Sequence, residues 1–325
     1  MTEGASRPSV GRRSAPLFEA LLADAEALRL EVETHPSGAR IVDAGIRAAG
    51  GIEAGRRIAE ICMGGLGRVT IEGSSPFPDW PFSLCVSAAE PVTACLLSQY
   101  AGWKLERGGE GKGWFAMASG PGRARARREA LFAELAYADD ADRAIFVLET
   151  DRPPPHEVVT EVAAACGLEP AQLAFILTPT TSLAGLVQIT ARVLEVGLHK
   201  LHELGFPLDR VRDGLGRAPL PPPSPDLLTA MGRSNDAILF GGELWLCVEG
   251  PEGEARRLAE QLPSSSSPDW GRPFAELFRE AGCDFYRIDR LLFSPARVHV
   301  TALESGRSFS AGRLAPELLA RSFGG

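Results

Sequence analysis

The stretch GLGRAPLPPPSPD, residues 214–226, concentrates proline and glycine and has no apolar periodicity. Proline lacks a backbone N–H and fixes φ, so such a run reads as an extended linker. In a chain of 325 residues, too long for one ordinary core, it is the natural place to divide the fold. The reading predicts two α/β domains. Residues 17–90 join residues 215–325 in the first, residues 91–214 form the second, and residues 1–16 are a disordered lead-in.

Outward from that stretch, helical and strand periodicities are mixed. Upstream, LFEALLADAEALRL (17–30) reads as a helix, and the segments flanking HPSG (35–38) as two strands. A helix over 51–63 is stopped by Gly64-Gly65, and strands follow at 68–71 and within FSLCVSA (82–88). PVTACLLSQYAGW (91–103) reads as a helix with Pro91 in its first turn. DRAIFVLET and LAFILT read as apolar strands on either side of the helix in PPPHEVVTEVAAACG. Downstream, DAILFGGELWLCVEG (236–250) reads as a hairpin around Gly241-Gly242, PFAELFREAG as a helix, and FYRIDRLLFSPARVHVTAL as two strands. The order lacks the strict alternation of a Rossmann or barrel fold, which leaves a mixed α/β (α+β) class of two-layered sheets and helices.

The net charge of −8, with a pI near 5.3, disfavours a nucleic-acid partner. One basic cluster, GRARARRE (122–129), reads as a solvated helix face, with an anion site as the alternative. The six cysteines show no CxxC or zinc spacing and lie mostly in apolar runs, as reduced thiols of a cytoplasmic protein would. The N-terminus has no apolar signal region, and no apolar run is long enough to span a membrane.

Several chemical templates fail. RGGEGKGW (107–114) lacks the first glycine of a phosphate loop and has Gly113 where Ser or Thr would hold magnesium. HExxH and G-x-S-x-G are absent. The informative segment is ITARVLEVGLHKLHELG (189–205), which reads as one helix ending at Gly205. Gln188, Arg192, Glu195, His199 and His202 fall at steps of four, three, four and three, a narrow polar seam on an otherwise apolar helix. Spacing alone leaves three readings open. They are a plain i, i+3 ion pair, a metal site on Glu195, His199 and His202, and an enzyme's charged pair in a cleft.

Longer phrases narrow the choice. GIEAGRRIAEICMGGLGRV, FAMASGPGRA, YADDADRAIFVLET, TPTTSLAGLVQITARVLEVGLHKLHEL and RSNDAILFGGELWLCVEG resemble, in order, the methenyltetrahydromethanopterin cyclohydrolase family. Its members occur in methanogenic archaea and methylotrophic bacteria, and the arginine-rich composition is similar to a bacterial one. The resemblance implies reversible hydrolysis of the methenyl bridge of N5,N10-methenyltetrahydromethanopterin, or its dephospho form, to the N5-formyl compound during formaldehyde oxidation. It also implies a homotrimer of two-domain subunits, a pocket between the domains, a small pterin substrate, and no metal or redox cofactor. The family's catalytic arginine and glutamate match Arg192 and Glu195, with Glu195 as base and Arg192 as the cation that keeps it ionised.

Substrate contacts are expected from the loops: Gly64 and Gly65, Ser119, Gly120 and Pro121, Thr180 and Ser182. Gln188, Asn235 and Asp236 complete the expected set. Two departures stand out: a glycine-rich LERGGEGKGW (105–114), and Phe240 where the family is expected to have tyrosine. The alternatives are a cyclohydrolase for another pterin or folate methenyl carrier, and a non-catalytic pterin-binding homologue.

Overall fold

The computed structural model describes residues 7–108 and 113–324; the glycine-rich stretch 105–114 lies partly, and residues 1–6 of the expected lead-in wholly, outside them. In chain order the chain forms α1 (Val10–Ala23), β1 (Glu31–Thr34), β2 (Arg40–Asp43) and α2 (Ile52–Cys62). It continues through β3 (Gly67–Glu72), β4 (Ser83–Ala88), a π-helical segment (Val92–Gln99), β5 (Trp103–Arg107) and β6 (Trp114–Ser119). Next come α3 (Gly122–Ala126), α4 (Ala130–Glu134), β7 (Ala144–Glu149), α5 (His156–Cys166) and β8 (Leu173–Leu177). α6 (Leu183–Thr190), α7 (Val193–Glu203), β9 (Val211–Pro219), α8 (Leu227–Gly241) and β10 (Glu243–Val248) follow. The last elements are α9 (Glu252–Gln261), α10 (Phe274–Glu280), β11 (Arg297–Ala302), β12 (Arg307–Gly312) and α11 (Pro316–Phe323). Among the described residues no helix is long and apolar enough to cross a membrane.

The chain falls into two compact units, but not along the expected boundaries: residues 1–66 with 93–185, and residues 67–92 with 186–325. The segment carrying Arg192 and Glu195 therefore belongs with the C-terminal residues and not with 91–185. The reason lies in the supposed linker. Its first six residues are part of β9, which pairs antiparallel with both β4 and β10 in the interior of a sheet. Gly214 and Gly216 sit there because α7 lies on them. A Cβ on Gly216 would come 2.8 Å from Val193 Cγ1 and 3.0 Å from the Leu194 backbone nitrogen. Only residues from Leu220 onward behave as a connector.

The first unit has the sheet order β1-β2-β8-β7-β6-β5. β7 and β8 are parallel to each other and apolar apart from the terminal Glu149 of β7, because helices cover both of their faces. Phe18 and Leu21 of α1 and Ile58 and Ile61 of α2 pack on Val42, Ile145, Val147 and Ile176. Val158, Val159 and Val162 of α5 pack on the opposite side, with Phe146, Leu148, Phe175 and Leu177. Three layers result here instead of the expected two.

α1 also begins seven residues before the expected start. Ser9 caps it, and Asp139 accepts from the Ser9 hydroxyl and the Gly11 N–H, so residues 7–16 are anchored and not a loose lead-in. The PVTACLLSQYAGW segment is helical but wound in π fashion, with Tyr100 N–H reaching Cys95 O at 2.7 Å.

The second unit has the order β12-β11-β10-β9-β4-β3, with β10 and β11 as its parallel pair. The residues read as a hairpin around Gly241-Gly242 are instead the end of helix α8 followed by β10. Ala237, Leu239 and Phe240 join Phe274, Phe278 and Leu319 in a core, which is why that apolar run is helical. FYRIDRLLFSPARVHVTAL supplies one strand, β11, and two short turns of 3-10 helix where a second strand was expected.

Candidate active site

The segment 189–205 is not one unbroken helix. α6 ends at Thr190, whose hydroxyl bonds back to Leu186 O at 2.8 Å, a contact that competes with the helical ladder. Arg192 N–H then reaches Ile189 O, one residue short of the α-helical partner, and Arg192 takes φ −81°, ψ 4°. Helix α7 starts from Arg192 as its cap residue, with Val196 N–H bonding to Arg192 O at 2.9 Å. The break puts Glu195 in the first turn of α7. There the unsatisfied N–H groups and the positive end of the helix dipole face a carboxylate favourably.

Gln188, Arg192 and Glu195 are 1%, 6% and 4% exposed, so this part of the seam is buried. Arg192 Nη2 donates to Gln188 Oε1 at 3.3 Å, and Arg192 Nη1 stands 3.8 Å from Glu195 Oε2. A solvated surface pair is thereby excluded. The separation is also too long for a direct hydrogen bond between the two charges. Buried ions stabilise a fold only when their mutual geometry recovers the several kcal/mol lost in leaving water. Burial of both charges fits a structural pair and a catalytic one alike.

Further along α7 the seam opens outward. His199 Nε2 lies 3.9 Å from Glu203 Oε1, and burial lowers the imidazole's pKa, which keeps it neutral at pH 7. The cationic histidine that a helix C-terminus would favour is therefore not formed at His199. Among the described residues no group of three His, Cys, Asp or Glu side chains is arranged to hold a metal ion, so the metal reading of Glu195, His199 and His202 has no geometric basis.

The helix does carry a buried charge that periodicity missed. Lys200 is 0% exposed and donates to Pro263 O at 2.8 Å and Ser266 Oγ at 2.7 Å, and burial lowers its pKa to about 8. Nothing in its spacing distinguishes it from a surface lysine.

The other expected contact residues have internal duties. In the first unit, Gly64 and Gly65 both take φ +66°, and Cβ atoms there would strike Val10 and the Arg13 carbonyl of α1. Ser119 donates to Val147 O, Gly120 N–H bonds to Ser98 O, and Pro121 starts α3. Ser182 accepts from Gly185 N–H at the head of α6, two residues after the half-buried Thr180. In the second unit, Asn235 bonds to Met231 O one turn back. Phe240, where a tyrosine hydroxyl was expected, is buried in the aromatic core with its ring 6.3 Å from that of Trp270.

Asp236 is the fully buried carboxylate of the expected set. It accepts from Phe274 N–H at 3.0 Å, the first residue of α10, and from the Ser322 hydroxyl of α11 at 2.6 Å. Its carboxyl joins three helices, and burial pushes its pKa up to about 7. A carboxyl raised on folding gives stability that is fully present below its unfolded pKa and lost as pH rises through the folded one. Thermal melts should therefore show stability falling between about pH 4 and 7, by on the order of 4 kcal/mol at most. Asp236→Asn should flatten that slope.

The basic cluster is a solvated face only at Arg127 and Arg128, which are exposed. Arg123 is 0% exposed, bonded to Glu129 at 2.7 Å and to the carbonyls of Leu96 and Ser98, with its guanidinium over Tyr100 and Phe132. Arg125 donates to Cys166 O. Arg123→Met leaves Glu129 without its cation and should lower the unfolding free energy by roughly 3–5 kcal/mol in denaturant titration.

With the buried pair located, comparison with known proteins gives its context. A family model described as Cyclohydrolase (MCH) matches residues 9–323. The chain belongs to the cyclohydrolase family. It is 58% identical to the methenyltetrahydromethanopterin cyclohydrolase of Methylobacillus flagellatus, over 98% of this chain and 96% of that one. The same-named protein of Xanthobacter autotrophicus is 57% identical over 99% and 95%. The cyclohydrolase of Methanococcoides burtonii is 36% identical over 97% and 98%, so similarity extends end to end into the archaea.

Proposed function

We propose that this chain hydrolyses the methenyl bridge of N5,N10-methenyltetrahydromethanopterin, or of its dephospho form, giving the N5-formyl compound reversibly. The observation that carries the assignment of residues is the buried Arg192–Glu195 pair at the helix break. The methenyl carbon lies between two nitrogens and shares a positive charge, so it needs only an aimed water and a base. Glu195 takes a proton as the water oxygen bonds to that carbon, giving a neutral carbinol. Glu195 then returns the proton to N10 while the carbon–N10 bond breaks and the carbinol O–H, losing its proton to solvent, becomes the formyl carbonyl. One water is consumed and one proton released overall.

Arg192 keeps its charge while the substrate loses its own, so repulsion between them is relieved along the reaction. The step draws on no metal or redox cofactor, because the carbon is already electrophilic. The reading extends to a homotrimer, as the family resemblance implies, and to a cytoplasmic role in formaldehyde oxidation, which suits six cysteines that form no disulfide.

The test is loss of methenyl absorbance with the dephospho-tetrahydromethanopterin carrier, run beside methenyltetrahydrofolate. Turnover on the pterin carrier alone is expected. Turnover only on the folate carrier, or none on either, overturns the proposal.

A further inference from the structure

The second sheet is covered on one face only. α7 rests on Gly214, Gly216 and Leu244, which point to the same side as Val298 and Val300. α9 lies along β11 and β12. On β12 it meets Phe309, register partner of Val300, whose ring lies 4.6 Å from the Arg256 guanidinium. The alternate residues of all six strands point the other way, and among the described residues the helices α7 and α9 lie on the face opposite to them. Their middle row runs Arg68, Ser87, Leu215, Trp245, His299, Ser310 across the sheet.

This bare face is not built for water. Leu215 is 47% exposed at its centre, beside Trp245, whose ring stacks on His299 at 5.0 Å. A shallow depression of about 400 Å³ opens there, floored by Leu215, Gly216 and Trp245 and bordered by Arg68 and Arg217. An antiparallel sheet face left to solvent is ordinarily polar along its length. Here small and apolar side chains hold the centre and charges stand around them, the pattern of an interface core with a polar rim.

The charges say what kind of partner fits. Arg68, Arg217 and Arg297 are matched by Glu72, Asp213 and Glu243, and Glu243 is clamped between Arg217 and Arg297. Glu243 is buried within that clamp, and the exposed charges that remain, Arg68, Glu72 and Asp213, are of both signs, so the face does not suit a polyanion and does suit another copy of the chain. The size also fits. Six strands about 4.8 Å apart and about six residues long make a patch of roughly 30 by 20 Å, on the order of 600 Å² before side-chain relief is added. A stable interface takes about 800 Å² of accessible surface per partner.

We infer that this open face of the β12–β3 sheet is the surface on which copies of the chain meet. The inference rests on the self-association proposed above and names its location. It puts the interface on the sheet face opposite α7, so that association leaves the Arg192–Glu195 side of the sheet free.

The experiment is light scattering on the full chain after gel filtration, with far-ultraviolet circular dichroism as the folding control. The wild-type protein should have a mass that is a multiple of 34.7 kDa. Leu215→Lys, a half-exposed site that cannot unfold the core, should weaken association at least tenfold, and Leu215→Lys with Trp245→Lys should run as a monomer. Leu227→Lys, at a still more exposed leucine on α8, should leave the mass unchanged. A wild-type monomer overturns self-association itself. A folded Leu215→Lys protein that associates as tightly as the wild type overturns only the location.

Discussion

Glu195→Gln is expected to lower kcat for methenyl hydrolysis by about 10²–10⁴-fold, the usual contribution of a positioned general base. The amide keeps the volume and one acceptor oxygen but cannot take the water's proton. Because Glu195 is 4% exposed and stands at 3.8 Å from Arg192, the substitution removes one of two buried charges without opening a cavity. The variant should therefore keep its circular dichroism spectrum, while its melting temperature falls because the buried Arg192 loses its anion. KM should change far less than kcat, because the glutamate's work is in the transition state. Near-wild-type kcat in a folded Glu195→Gln protein would sink the assignment of Glu195 as base.

Gly216→Val should produce the next largest effect, and by a different route. The new side chain would sit between β9 and the first turn of α7, against Val193 Cγ1 and the Leu194 backbone. Overpacking of this kind costs about 1–3 kcal/mol. The strain can be relieved only by lifting the end of the helix that bears Arg192 and Glu195. A displacement near 1 Å is enough to lose about 10²-fold in rate. Thermal melts and single-turnover rates would show both losses together, with Gly216→Ala intermediate. A Gly216→Val protein with normal kcat would mean that the start of α7 is not held from below.

The two glycines of GLGRAP explain why part of the fold resisted reading. In a linear sequence, glycine and proline near one another signal a chain with nothing to pack against. In the folded unit these glycines are small because another helix is too close, and no periodicity in their own neighbourhood reports that. Local composition was a good guide where one strand carried its whole environment. AIFVLE and LAFIL are apolar on both faces because both faces are covered, and their sequences say so. It failed where neighbours decide, as in DAILFGG, which is helical because its apolar side meets α10 and α11.

The site shows the same division. Arg192 and Glu195 were singled out by the surrounding phrases, since their spacing alone left an ordinary ion pair open, and the structure buries both. The break before α7 was not, because Thr190 disturbs the ladder through a hydroxyl bond that many helical threonines also make. Asp236 was expected only as one substrate contact among several, and in the structure Phe274 and Ser322 take up its oxygens. Lys200 shows the reverse: an ordinary-looking residue fully enclosed by carbonyl and hydroxyl partners.

The anchored start of α1 has a practical consequence for anyone preparing this protein. A shortened version beginning at Leu17, where amphipathic periodicity first becomes obvious, would discard the Ser9 cap and both ligands of the Asp139 carboxylate on that helix. Asp139 would be left beneath a helix with a frayed end, and the Tyr137 hydroxyl would lose Pro8 O and Val10 N–H. Trimming for crystallisation or fusion should stop ahead of Arg7, whose guanidinium still reaches Thr93.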